Sequence, residues 1–220
     1  MDSFIQFIIN QGVPKETVEL MLLFPIIATL MVIARQVIGI KAFGIYTPSI
    51  VAIALLFTGL KYGVFLFVVI LVIGTATRLI LKQFRLLYLP RVAIMISIVS
   101  ITILFVLVLG GYFNRTGLAS VSIFPLLILI TIMEKFIAVQ AEKGAKTAIF
   151  LSLETLFLSI MAYFIVGIEQ LKELMLDYPW LILIIIVINA ALGKWTGLRF
   201  LEYVRFREII KQRIRESGKS

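Results

Sequence analysis

Residues 148–168 read AIFLSLETLFLSIMAYFIVGI, twenty-one residues with one charged side chain, Glu154. A helix needs about 20 mostly apolar residues to cross a bilayer, so this stretch is long enough to span. Glu154 then lies at membrane depth. A charge there costs about 2.5 to 3.5 kcal/mol on insertion scales, so an acid in such a helix faces protein or water and marks a functional site by default. The competing reading is structural, with a protonated or hydrogen-bonded Glu tying helices together. Ser152, Thr155, Ser159 and Ala162 follow one another at offsets of 3, 4 and 3 along one face. Small residues at that spacing let helices approach closely, which predicts a packing seam that Glu154 flanks.

Working outward, six more stretches have the same character. The expected spans are 18–40, 43–60, 62–82, 90–113, 118–135, 147–168 and 179–197, each bounded by charge, Gly or Pro. The fold class is therefore all-α, a polytopic membrane helix bundle of seven transmembrane helices. Residues 1–17 form a short external or interfacial segment, 18–197 the bundle and 198–220 a basic tail. Tyr203, Phe206, Ile210 and Ile214 make an apolar stripe in that tail, as in a cytoplasmic helix lying on an anionic leaflet.

Composition agrees: 61% of the residues are hydrophobic, 15% are charged and the mean hydropathy is +1.11. A soluble fold of this size would have too little polar surface to show water. With no Cys and no His, disulfides, thiolate nucleophiles and imidazole bases are excluded. No metal site, cofactor or catalytic residue is expected; nucleophile elbow, paired Gly-Asp motif and zinc-ligand spacing are all missing. The net charge of +9 is explained by its placement rather than by nucleic acid. Seventeen Lys and Arg residues fall on one side of the seven-span map, and four (Lys15, Lys61, Arg115 and Lys172) on the other. Basic residues gather on the cytoplasmic side, which puts the N-terminus outside and the C-terminus inside.

The same map places the strongly polar side chains of the spans in the inner half of the membrane. Arg35, Arg78, Glu134, Lys135, Glu154 and Asn189 form the candidate substrate or coupling site, with Arg78 and Arg35 as candidate partners of Glu154. Pro48 and Pro125 stand near the start of the middle span in each group of three, the pattern of an inverted 3+3 repeat built around broken helices, followed by a final helix.

Several runs carry a resemblance: Ala34-Arg35-Gln36-Val37-Ile38-Gly39, Phe43-Gly44-Ile45-Tyr46-Thr47-Pro48, Arg85 to Arg91, Ile123 to Phe136, and Gly193 to Tyr203. Together they resemble the seven-transmembrane domain that bacterial proteins usually carry after an inactive transglutaminase-like domain. The chain is also distantly similar to the small membrane subunit of poly-γ-glutamate synthases. The resemblance implies a bacterial inner-membrane protein with a transglutaminase-like or peptidase domain on the periplasmic side. It further implies partnership with a cytoplasmic ATP-grasp ligase in making or handling a peptide-like, glutamate-rich product. The first seventeen residues cannot hold a soluble domain, so the chain is expected to stand alone, to be an excised domain, or to work with a separate soluble part. The function expected from the resemblance is a non-catalytic membrane scaffold or conduit; the alternative is a small secondary transporter with Glu154 as its proton or substrate site.

Overall fold

The computed structural model describes residues 3–84, 87–112 and 123–194. These residues are helical throughout, apart from short turns. The expected basic helix over 198–220 and the opening of the fifth span over 118–122 lie outside them. Two compact units emerge, residues 1–41 with 168–220, and residues 42–167.

In the first unit, α1 (Ser3–Asn10) precedes α2 (Lys15–Ile33), which continues as a π-helical turn, Ala34–Ile38. Gly39 closes that turn at φ +102°, and the N–H groups of Gly39 and Ile40 both reach the Ala34 carbonyl. Farther along the chain, α8 (Glu169–Asp177) and α9 (Leu181–Gly193) meet at a 105° bend across Tyr178, Pro179 and Trp180. A proline fixes its own φ and pushes the residue before it out of the helical region, so the bend belongs at Tyr178-Pro179. The expected span 179–197 is thus represented by a 13-residue helix with a shorter partner set at an angle to it. Two amide side chains fasten α9 to α2 and its extension. Asn189 Nδ2 donates to Thr29 Oγ1 at 2.6 Å, and Gln36 Nε2 donates to the Leu192 carbonyl at 2.6 Å. The second bond takes up one of the four carbonyls that the end of α9 leaves without a helical partner.

The second unit holds α3 (Tyr46–Thr58), α4 (Leu60–Leu81), α5 (Tyr88–Tyr112), α6 (Ile123–Lys143) and α7 (Ala145–Val166). Its core runs through Val51, Leu55, Leu66, Ile70, Met95, Leu129, Met133 and Phe136. α3 packs on both α6 and α7, and eight of its thirteen residues are buried. The faces of α4, α5 and α7 that carry Val72, Ile101, Phe105, Leu153 and Phe157 are exposed and apolar, as helices facing lipid tails must be.

Among the described residues, five helices are long and apolar enough to cross a membrane, and six if the bent α8–α9 pair counts as one crossing. α3 falls short. At 13 residues it is about 20 Å long against a hydrocarbon core of about 30 Å. Hydropathy alone had extended this span back to Phe43, but Ala42 (φ +40°) and Gly44 (φ +86°) turn the backbone just before the helix. The fifth expected span is also redrawn. Its expected end is Lys135, yet α6 runs on to Lys143, because nothing between Phe136 and Lys143 breaks a helix before Gly144 (φ +86°). Glu134 and Lys135 therefore lie inside a helix and not at its end.

A Cβ at Gly63 would collide with the Thr58 and Leu55 side chains, so the tight α3–α4 connection depends on that glycine. Gly63→Ala should destabilise the protein by about 1 to 3 kcal/mol, the usual cost of overpacking. The check is unfolding by SDS from mild detergent micelles, and an unchanged midpoint would mean that α3 and α4 are not held this closely.

Candidate functional site

Three side chains of α7 meet the start of α3. Glu154 Oε2 accepts the Ala42 N–H at 2.9 Å, and Thr155 Oγ1 accepts the Phe43 N–H at 3.0 Å. One turn on, the Ser159 hydroxyl is placed to donate to the Pro48 carbonyl at 2.9 Å or to the Thr155 carbonyl at 2.8 Å. Ser152, Thr155 and Ser159 are fully buried. Small side chains here let α3 come close enough to α7 for these bonds to form, and the hydroxyls absorb polar groups that water would otherwise satisfy.

The geometry explains why an acid sits at this depth. α3 has no side-chain cap of its own: its N-cap residue is Ile45. The backbone leading into it is a turn, with N–H groups that a helix would have satisfied internally. Irregular backbone at membrane depth survives only where protein takes up those groups. A carboxylate accepting a backbone N–H makes a charge-assisted bond, about twice as strong as a neutral one. Ala42 at φ +40° is also a strained position for a residue other than glycine, at a cost of about 1 to 3 kcal/mol, and such backbone persists only when its surroundings fix it.

Pro48 is the third residue of α3, and Pro125 is third in the described part of α6. A proline in a first turn removes an N–H that has no helical acceptor anyway. Pro48 thus helps to start a helix and does not interrupt one.

The remaining candidate residues separate into distinct settings. Lys135 Nζ donates to Thr47 Oγ1 at 2.8 Å and lies 5.6 Å from the centroid of the Tyr46 ring, which joins α6 to the first turn of α3. Glu134 is exposed. Arg78, in the last turn of α4, lies within electrostatic reach of Arg91 on α5. Arg35 is exposed in the π-helical turn of the first unit, where Asn189 also belongs. Asn189 spends its amide on Thr29 and on the Ile185 carbonyl, as a helix tie.

The small run Gly74-Thr75-Ala76-Thr77 of α4 divides between two neighbouring helices. A Cβ on Gly74 would meet Met133 of α6 at 3.2 Å, so the glycine serves the α4–α6 contact. Thr75 and Ala76 instead line an apolar groove of about 440 Å³ shared with Ser152 and Leu153 of α7. Sequence reasoning passed over Tyr46, Thr47 and Gln140. The first two were hidden inside an apparent span. Gln140 falls between the expected spans 118–135 and 147–168, but it is 3% exposed within α6 and its Oε1 has no hydrogen-bond partner among the described residues.

Over residues 3–210 the sequence matches a family described as seven transmembrane helices usually fused to an inactive transglutaminase. The chain belongs to that family. No curated protein and no solved structure matches it. As a member of this seven-helix, transglutaminase-associated family, the chain is a multi-pass integral membrane protein, and its five long helices agree with that assignment.

The seam makes a graded prediction. Glu154→Gln keeps an oxygen for the Ala42 N–H, whereas Glu154→Leu leaves that N–H buried and unpaired, a loss of about 1 to 3 kcal/mol. In SDS unfolding, Leu should cost clearly more than Gln. Equal losses would show that the charge matters and the acceptor does not.

Proposed function

We propose that the chain is a non-catalytic membrane scaffold of a bacterial envelope system. It couples a transglutaminase-like domain outside the inner membrane to a cytoplasmic ATP-grasp ligase that makes a peptide-like, glutamate-rich product. In this reading α3 and the bent α8–α9 pair complete the seven crossings, with the N-terminus outside and the basic C-terminus inside, as the distribution of Lys and Arg favours.

One observation carries the choice of scaffold over transporter: the deep acid accepts a backbone N–H. A coupling acid must take up and release protons as the protein turns over, and its site must be able to do without the bond it makes in one state. Glu154 fixes the position of α3, and losing that bond would expose an amide at membrane depth. The family's association with an inactive transglutaminase supports the same direction, since neither part then needs chemistry of its own.

The experiment is affinity purification of the intact, tagged chain from native membranes after mild crosslinking. An ATP-grasp ligase should be recovered with it, at a yield well above that from membranes carrying an unrelated tagged membrane protein. Recovery of no ligase from membranes in which the chain is intact would overturn the scaffold.

A further inference from the structure

Beside the seam, α3 and α6 enclose a cleft of about 250 Å³. Its α6 wall is Ile128, Thr131, Ile132 and Lys135, which recur at offsets of 3, 1 and 3 and so share one helix face. Its polar end is built from Lys135, Thr47 and Tyr46. Thr47 is 2% exposed, whereas Tyr46 is 63% exposed at the mouth.

An ammonium has three donors and no acceptor. Thr47 takes one donor of Lys135, and the face of Tyr46 offers a second, weaker attraction. No carboxylate lies within ion-pair distance of Lys135 among the described residues. The residue is the thirteenth of the 21 in α6, a helix apolar enough to span. Its charge therefore stands on the exposed side of a spanning helix with donors to spare. From Ile128 to Lys135 the wall rises about 10 Å and is apolar apart from the Thr131 hydroxyl, which is bonded back to the Leu127 carbonyl at 2.9 Å. A peptide laid there would find nothing to pair its backbone amides with. An acyl chain needs no such partners.

We propose that this cleft binds one anionic phospholipid, with the phosphate on the Lys135 ammonium beside Thr47 and Tyr46 and an acyl chain along Ile128 and Ile132. The phosphate supplies a counter-charge within reach of the Lys135 ammonium, and the bound lipid fills the step left where the short α3 begins. The site stands independently of the scaffold reading, because it requires only that the chain be in a bilayer.

The test uses the full chain in a neutral detergent, with bound lipid counted by native mass spectrometry and thermal unfolding followed as lipid is added. Phosphatidylglycerol should be retained at one molecule per chain and should raise the unfolding temperature more than phosphatidylcholine does. Lys135→Gln should weaken phosphatidylglycerol about tenfold, the loss of one charge-assisted contact, while Lys135→Arg keeps most of it. Thr131→Trp, which fills the cleft and leaves the ammonium in place, should also abolish retention; it decides the matter if Lys135→Gln does not fold. Inorganic phosphate should protect neither the wild-type chain nor Lys135→Gln. Equal protection by the two lipids, full retention by Lys135→Gln or by Thr131→Trp, or displacement of the lipid by a short oligoglutamate would overturn the proposal, the last by assigning the cleft to a peptide carboxylate.

Discussion

The hydrogen bond from the Ala42 N–H to the Glu154 carboxylate is the constraint around which the second unit is arranged. A turn at membrane depth must hand its amides to something, because hydrocarbon offers no acceptor. The turn leading into α3 finds its acceptors on α7. Glu154 and Thr155 take two consecutive N–H groups, and Ser159 reaches a carbonyl of the first turn. What looks in isolation like a costly charge at membrane depth is an acceptor placed against the N–H of a turn.

Much of the packing follows from that requirement. For side chains as short as Thr155 and Ser159 to reach the α3 backbone, the two helices must lie close, and the seam is accordingly small and fully buried. The opposite end of α3 turns directly into α4 at Gly59, and Gly63 lets α4 pass the last turn of α3 without a collision. α3 is thereby gripped at both ends and enclosed by α6 and α7, which is how a helix of 13 residues can be among the most buried in a membrane protein. Lys135 stands beside the same first turn, so the start of α3 is bordered by an acid on α7 and a cation on α6.

The long spans were legible because about twenty consecutive apolar residues have one physical reading. The first, third, fourth and sixth spans appear close to where hydropathy puts them. The misreadings share a cause: hydropathy reports where a residue is comfortable, not what its backbone does. Phe43 and Ile45 are apolar and yet belong to a turn set by Ala42 and Gly44. Lys135 and Gln140 are polar and yet helical, because charge does not end a helix when no Gly or Pro follows. For the candidate site, the acid and the small face of α7 could be found from spacing. Their bonding partners could not, since a backbone N–H leaves no trace in the identity of Ala42 or Phe43. Asn189 shows the converse, a polar residue conspicuous in the sequence whose amide is spent on Thr29 within its own unit.

The most direct test of this account is the exchange rate of the Ala42 and Phe43 amides, measured by hydrogen–deuterium exchange on the wild-type chain in lipid nanodiscs. Two amides held by Glu154 and Thr155 should be protected to the same degree as the interior of α3, although they lie outside any helix. Exchange at the rate of an open loop would contradict the account, because the Ala42 N–H would then not be held by Glu154.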